Sequence, residues 1–202
     1  MSEEITNTTS TEKSTDAWSF GAELLRTVLV IGILAFVIRY FIVQPFIVEG
    51  ESMSPYFHTN DYLLVDKLSY RFHAPERGDV IVFRYPNDPS INYVKRVIGL
   101  PGETVTIKNG SVSIANTTTP NGFKLNETYL PVGLQTQLLN GSSDGVFIIP
   151  SDDFFVLGDN RPNSSDSREW GWMPKSDLIG RVAVEALPLN QARLIRHINY
   201  AS

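Results

Sequence analysis

Val105-Thr106-Ile107-Lys108-Asn109-Gly110-Ser111-Val112-Ser113-Ile114 is the stretch that sets the fold class. Two short runs alternate apolar and polar residues, the period of a strand with one face buried. Between them stands Asn-Gly, whose tolerance of positive φ suits the two-residue turn of an antiparallel hairpin. Similar runs recur between turn residues at Tyr62–Val65, Val80–Phe83, Tyr93–Ile98, Val146–Ile149, Phe154–Leu157 and Val182–Leu187. The expectation is a mainly β, antiparallel domain over residues 45–202, barrel-like or a β-sandwich. Residues 115–145 break the alternation with many Asn, Thr, Gly and Ser, so a small cap insertion is expected at about 105–150.

Upstream of the strands lies one strongly apolar run, Thr27–Val43, interrupted only by Arg39. As a helix it measures about 25 Å, and its apolar flanks bring it close to a ~30 Å hydrocarbon core. Arg39 lies near the end of the run, where its long side chain can reach the headgroups. The reading is a disordered tail over residues 1–21 and a transmembrane anchor helix over residues 22–44. A buried helix of a soluble domain is the competing reading. A cleavable leader fits poorly, because within the first 25 residues Glu3, Glu4, Glu12, Asp16 and Glu23 oppose Lys13 alone.

Composition removes several function classes. The net charge of -5 supplies no basic stripe for nucleic acid. The absence of cysteine excludes disulfides, thiolate catalysis and Cys-based zinc sites. His58, His73 and His197 have no metal-binding spacing, so no metal and no cofactor are expected.

Ser52 stands in a turn-like stretch, Gly50-Glu51-Ser52-Met53-Ser54-Pro55. A serine hydroxyl is a poor nucleophile until a base takes its proton. No Gly-x-Ser-x-Gly elbow is present and the histidines stand in ordinary contexts. Alternation places Tyr93, Lys95 and Val97 on one strand face, where burial would lower the lysine pKa towards a base's range. An ion-paired or solvent-facing lysine fits the same alternation.

Taken in order, these stretches resemble the bacterial type I signal peptidases. The matching blocks are Gln44-Pro45-Phe46 after the anchor, Ser52-Met53-Ser54-Pro55, and Arg77-Gly78-Asp79-Val80-Ile81-Val82-Phe83. Lys95-Arg96-Val97-Ile98-Gly99-Leu100-Pro101-Gly102-Glu103, Gly158–Arg168 and Trp170-Gly171-Trp172-Met173-Pro174 follow. The resemblance implies a membrane-anchored serine endopeptidase that cuts signal peptides from exported preproteins after small-x-small sites. It implies that Ser52 is the nucleophile, its backbone N–H an oxyanion donor, Lys95 the general base and Ser164 the group that orients Lys95. Asp166 and Arg168 become a supporting ion pair, and Asp159 and Asn160 shape a hydrogen-bonded turn beside the site. Gly50 stands where some relatives carry a hydroxyl donor, and Glu51 where many have glycine, so Glu51 is expected to point outward. Phe46, Val48, Met53, Tyr93 and Val94 become the substrate walls.

The implied partners are preproteins, the lipid bilayer and the secretion translocon. The implied location is the bacterial cell membrane, single-pass, with the N-terminus cytoplasmic and the β-domain outside. Two rivals share parts of the pattern. A self-cleaving repressor-type Ser-Lys protease needs a DNA-binding domain, for which residues 1–26 are too few and too acidic. A catalytically silent membrane-tethered module has no need to keep Ser52, Lys95 and Ser164.

Overall fold

The computed structural model describes residues 12–37, 39, 42–138, 142, 144–198 and 200, which divide into two units, residues 1–42 and residues 43–202. In the first unit a helix, α1, spans Glu12–Val37. Its 26 residues give about 39 Å. Ser19–Phe36 is long and apolar enough to cross a bilayer, and none of that window is buried. Leu24, Leu25, Val28, Leu29, Ile33 and Phe36 are all more than half exposed, unlike the core helix of a soluble domain. The helix starts inside the stretch expected as a tail, of which residues 1–11 lie outside the described residues.

The second unit opens with β1 (Val43–Ile47), a strand where the sequence reading placed the end of the anchor. Period alone cannot separate a short apolar strand from a helix end. Pairing decides it: Val43–Ile47 lies antiparallel to β2 (Tyr62–Asp66). β1 is an edge strand, which tolerates the missing N–H of Pro45. β3 (Val80–Tyr85) and β4 (Asp88–Gly99) form the next hairpin. β5 (Thr104–Lys108) and β6 (Ser111–Ala115) follow, then β7 (Phe123–Lys124), β8 (Gly145–Ile148) and β9 (Asp153–Leu157). A one-turn helix, α2 (Ser167–Trp170), precedes β10 (Met173–Pro174), β11 (Leu178–Leu187) and β12 (Arg193–Leu194).

All pairings among the described strands are antiparallel. One sheet runs β1-β2-β11-β3-β4-β9-β10, with β12 also on β11, and the other runs β7-β6-β5-β8. The mainly β, antiparallel class holds. Asn109 and Gly110 make the β5–β6 turn with φ of +50° and +76°, the conformation their side chains allow at low cost. β3 is buried on both faces from Val80 to Phe83. Val80 and Val82 pack with Met53, Phe57 and Leu63, while Ile81 and Phe83 pack with Val97, Phe154 and Val156.

The inner face of the second sheet, Val105, Ile107, Val112 and Ile114, packs against Ile98, Phe155 and Leu157. The hairpin is thus part of the domain's core and not a detached cap. Gly99 sits at this junction, where a Cβ would run into the Ile149 and Val105 side chains. Gly99→Ala is therefore expected to cost about 1–3 kcal/mol by overpacking. The midpoint of urea unfolding measures it, and a wild-type midpoint would show that the junction has room.

Candidate active site

Ser52 lies in the loop between β1 and β2, which is closed by Val48 N–H to Asp61 O at 2.9 Å and Asn60 N–H to Val48 O at 2.9 Å. Gly50 enters the loop with φ +90° in open space, so its requirement is conformational and not steric. Inside the loop, Met53 O accepts the N–H groups of Tyr56 and Phe57. Glu51 turns outward, as expected, its Oε1 accepting from Thr59 Oγ1 at 3.0 Å. Asn160 grips the serine from the other side. Its N–H donates to Ser52 O at 3.0 Å and its Nδ2 to Glu51 O at 2.9 Å.

β4 delivers Lys95. Its Nζ is 2.7 Å from Ser52 Oγ and 3.1 Å from Val94 O, and 4.8 Å from the centre of the Tyr93 ring. Lys95 is only 3% exposed. Burial lowers its pKa to about 8 from 10.5, against the opposing pull of Asp166 and Asp159 and with some help from Arg168. Tyr93 and Val97 pack together on one side of β4 and Val94 on the other, the alternation the sequence predicts.

The two carboxylates near Lys95 are each engaged by an arginine. Asp159 accepts from Arg96 Nε at 2.9 Å and from its NH2 at 2.6 Å. Arg96 is fully buried, also donates to Gly78 O at 2.9 Å, and lies 5.0 Å from the Tyr56 ring and 4.3 Å from the Tyr129 ring. Burial works against its charge, but Asp159 together with Tyr129 and Tyr200 more than offsets it and raises its pKa. Asp166 holds Arg168 in a two-point pair at 2.8 and 2.7 Å, caps α2 and accepts from Gly158 N–H at 3.1 Å. Arg161 is buried against Glu127, Tyr129 and Thr136.

Ser164 is buried at 3% exposure, and its Oγ has no hydrogen-bond partner among the described residues. A Cβ on Gly158 would run into both Ser164 Oγ and Ser52 O, which shows how closely the serines approach there. Phe46, Val48, Tyr93 and Val94 line a cleft of about 580 Å³ along Ser52 and Lys95. Met53 does not line it. Its side chain is 1% exposed, in the core with Phe57, Leu63 and Val80, because the loop turns after Ser52 and directs it inward.

Sequence reasoning noticed Arg96 only as part of a block and missed Glu127 and Tyr129. The available signal was Arg96 itself, since a charge inside the apolar strand Val94-Lys95-Arg96-Val97-Ile98 demands a partner. Residues 21–186 match the family model described as signal peptidase, peptidase S26. The chain belongs to the S26 signal peptidase family. A signal peptidase I of Leptolyngbya laminosa is 41% identical over 177 residues, covering 84% of this chain and 81% of its own. A probable signal peptidase I-2 of Synechocystis sp. is 35% identical over 201 residues, covering 96% of this chain and 86% of its own. Signal peptidase I P of Bacillus subtilis subsp. natto is 36% identical over 174 residues, covering 84% and 90%. This S26 signal peptidase is a serine endopeptidase whose substrates are preproteins.

A testable stability consequence follows for Lys95. Its pKa is about 8 folded and 10.5 in its ordinary state, so the unfolded chain binds more protons between those values. Its contribution therefore rises with pH from about 8 to 10.5. Lys95→Met should unfold at higher urea than the parent at pH 7, with the gap narrowing across that window; a gap independent of pH would show a solvated lysine with an unshifted pKa.

Proposed function

We propose that this peptidase removes signal peptides by a serine–lysine dyad, with Ser52 as nucleophile and Lys95 as general base. The supporting observation is the 2.7 Å approach of a buried amine with pKa about 8 to the serine hydroxyl. Lys95 in its neutral form takes the Ser52 proton as Oγ bonds to the scissile carbonyl carbon. The ammonium so formed gives that proton to the leaving amine as the peptide bond breaks. Water then attacks the acyl-enzyme, Lys95 accepting its proton and returning one to Ser52 Oγ. The Ser52 N–H supplies one oxyanion donor, and Gly50 offers no side chain for a second.

Ser164 orients the base. A neutral amine has two N–H donors and one lone pair. With the lone pair directed at Ser52 and one donor on Val94 O, the second donor is left over for Ser164 Oγ, which makes no hydrogen bond among the described residues. Asp166–Arg168 and Arg96–Asp159 hold that arrangement from behind.

The cleft runs along two strand edges. β1 pairs only with β2, and over Asp88–Lys95 β4 pairs only with β3 among the described strands. An extended substrate laid there gains main-chain hydrogen bonds. Phe46, Val48, Tyr93 and Val94 leave shallow space for small residues at the first and third positions before the cut. α1 anchors the protein in the bacterial cell membrane, N-terminus cytoplasmic and β-domain outside, beside the translocon that delivers its preproteins. The exposed apolar Ser19–Phe36 window supports the anchor, and protection of the β-domain from added protease in sealed vesicles tests its direction. A silent binding module is disfavoured by the closeness of Lys95 Nζ to Ser52 Oγ.

Ser52→Ala and Lys95→Ala are expected to reduce cleavage of an Ala-x-Ala preprotein by 10²-fold or more, with the fold kept; wild-type rates in either would refute the dyad. The wild-type rate should rise with pH through about 8, as the amine loses its proton. A rate that is flat from pH 6 to 10 would count against a lysine base. Ser164→Ala should slow turnover by roughly tenfold through a misaimed amine, measured as kcat with KM unchanged.

A further inference from the structure

The family match ends at residue 186, yet the chain continues into a segment that returns to the supports of the site. β12 pairs with β11, Glu185 opposite Arg193. Arg193 Nε lies 2.8 Å from Oε2 of the fully buried Glu185, and its NH2 donates to Tyr56 O. The same guanidinium is 4.4 Å from the Tyr56 ring and 5.9 Å from the Phe57 ring. Both aromatics belong to the Ser52 loop.

Further along, Tyr200 OH donates to Tyr129 OH at 3.1 Å, with the rings edge to face at 6.1 Å. Ile198 O and the Tyr200 ring also crowd Gly78, where an added Cβ would lie 2.8 and 3.1 Å from them. Tyr56, Tyr129 and Gly78 each contact Arg96, as Asp159 does. Each of the three is backed by Arg193, Ile198 or Tyr200. Arg96 holds Asp159, whose neighbour Asn160 holds Ser52 O.

We propose that residues 193–198 and Tyr200 form a brace that acts through Arg96 and the Ser52 loop to keep Ser52 in register with Lys95, with Arg193 and Tyr200 as its positioning residues. The proposal rests on the dyad reading above. Neither residue lines the cleft, so their loss should leave substrate binding alone. Loosening the Ser52 loop separates hydroxyl from amine, and errors of about 1 Å in such alignments cost on the order of 10²-fold in rate. It also admits water to Lys95, which moves its pKa back towards 10.5.

Arg193→Ala alone strands the Glu185 carboxylate, so the informative variant is the pair Arg193→Met with Glu185→Gln, beside Tyr200→Ala and Tyr200→Phe. Steady-state cleavage of an Ala-x-Ala preprotein is measured with full-length enzyme across pH 6–10, with melting followed in parallel. The brace predicts a 10- to 100-fold lower kcat at unchanged KM for the paired variant and for Tyr200→Ala, and an upward shift in the pH midpoint. Tyr200→Phe, which keeps the ring, should recover most of the rate, and Arg193→Lys with Glu185 intact should recover part. Lower melting temperature with kcat and pH midpoint unchanged in the folded enzyme overturns the proposal. Ser52→Ala run alongside separates the two failures: if it is inactive while the brace variants match wild type, only the brace falls. If Ser52→Ala keeps full activity, the dyad reading and the brace fall together.

Discussion

Holding the pKa of an amine down next to carboxylates is the constraint on which this site depends. Burial pushes Lys95 towards the neutral form, while Asp166 and Asp159 pull it towards the charged one. Unneutralised, two carboxylates at that range would restore an ordinary lysine. Each is instead held two-point by its own arginine, Arg168 or Arg96. The guanidiniums take up the negative charge, and desolvation is left as the larger influence on the amine. The same pairs fix the backbone on both sides of Gly158, so one arrangement serves the electrostatics and the alignment of Ser52.

Such pairs have a cost that the rest of the fold must meet. Buried ion pairs seldom add net stability, because desolvation consumes most of the attraction unless every donor is used. Here most donors have partners: Arg96 takes Gly78 O as well as Asp159, and Arg168 takes Gln137 O and Arg161 O as well as Asp166. Glu127, Tyr129 and Thr136 do the same for Arg161. These partners come from the irregular stretch after β7. That explains a long segment with little strand periodicity: its polar residues face inward to arginines and need no alternating apolar face.

Much of this was legible in the residues and some was not, for identifiable reasons. The Asn109-Gly110 turn and the alternating runs around it specify their own local geometry, so the β class and most strands could be read directly. Alternation made Lys95 one of several possible partners for Ser52, and the pairing itself came from the resemblance of the blocks around both residues, not from their spacing. Met53 misled, since an apolar residue next to a nucleophile reads equally as wall or core, and only the direction of the turn decides. β1 was hidden because its partner, Tyr62–Asp66, lies beyond a loop. The partner of Arg96 was out of reach because Asp159 is far from it in sequence, and no local pattern encodes such a pairing.

Among the described strands, β1 and the Asp88–Lys95 part of β4 each keep one unpaired edge. Unpaired edges invite aggregation, and proteins usually cover or charge them. Here Glu49 and Glu51 stand on the rim beside the β1 edge. Two carboxylates there discourage pairing with another copy of the same edge while leaving main-chain groups open to an extended guest. The charges that act on Lys95 are those of Asp166, Asp159 and Arg168, while the Glu51 carboxylate is taken up by Thr59. An acid beside Ser52 is therefore compatible with a lysine whose pKa burial lowers.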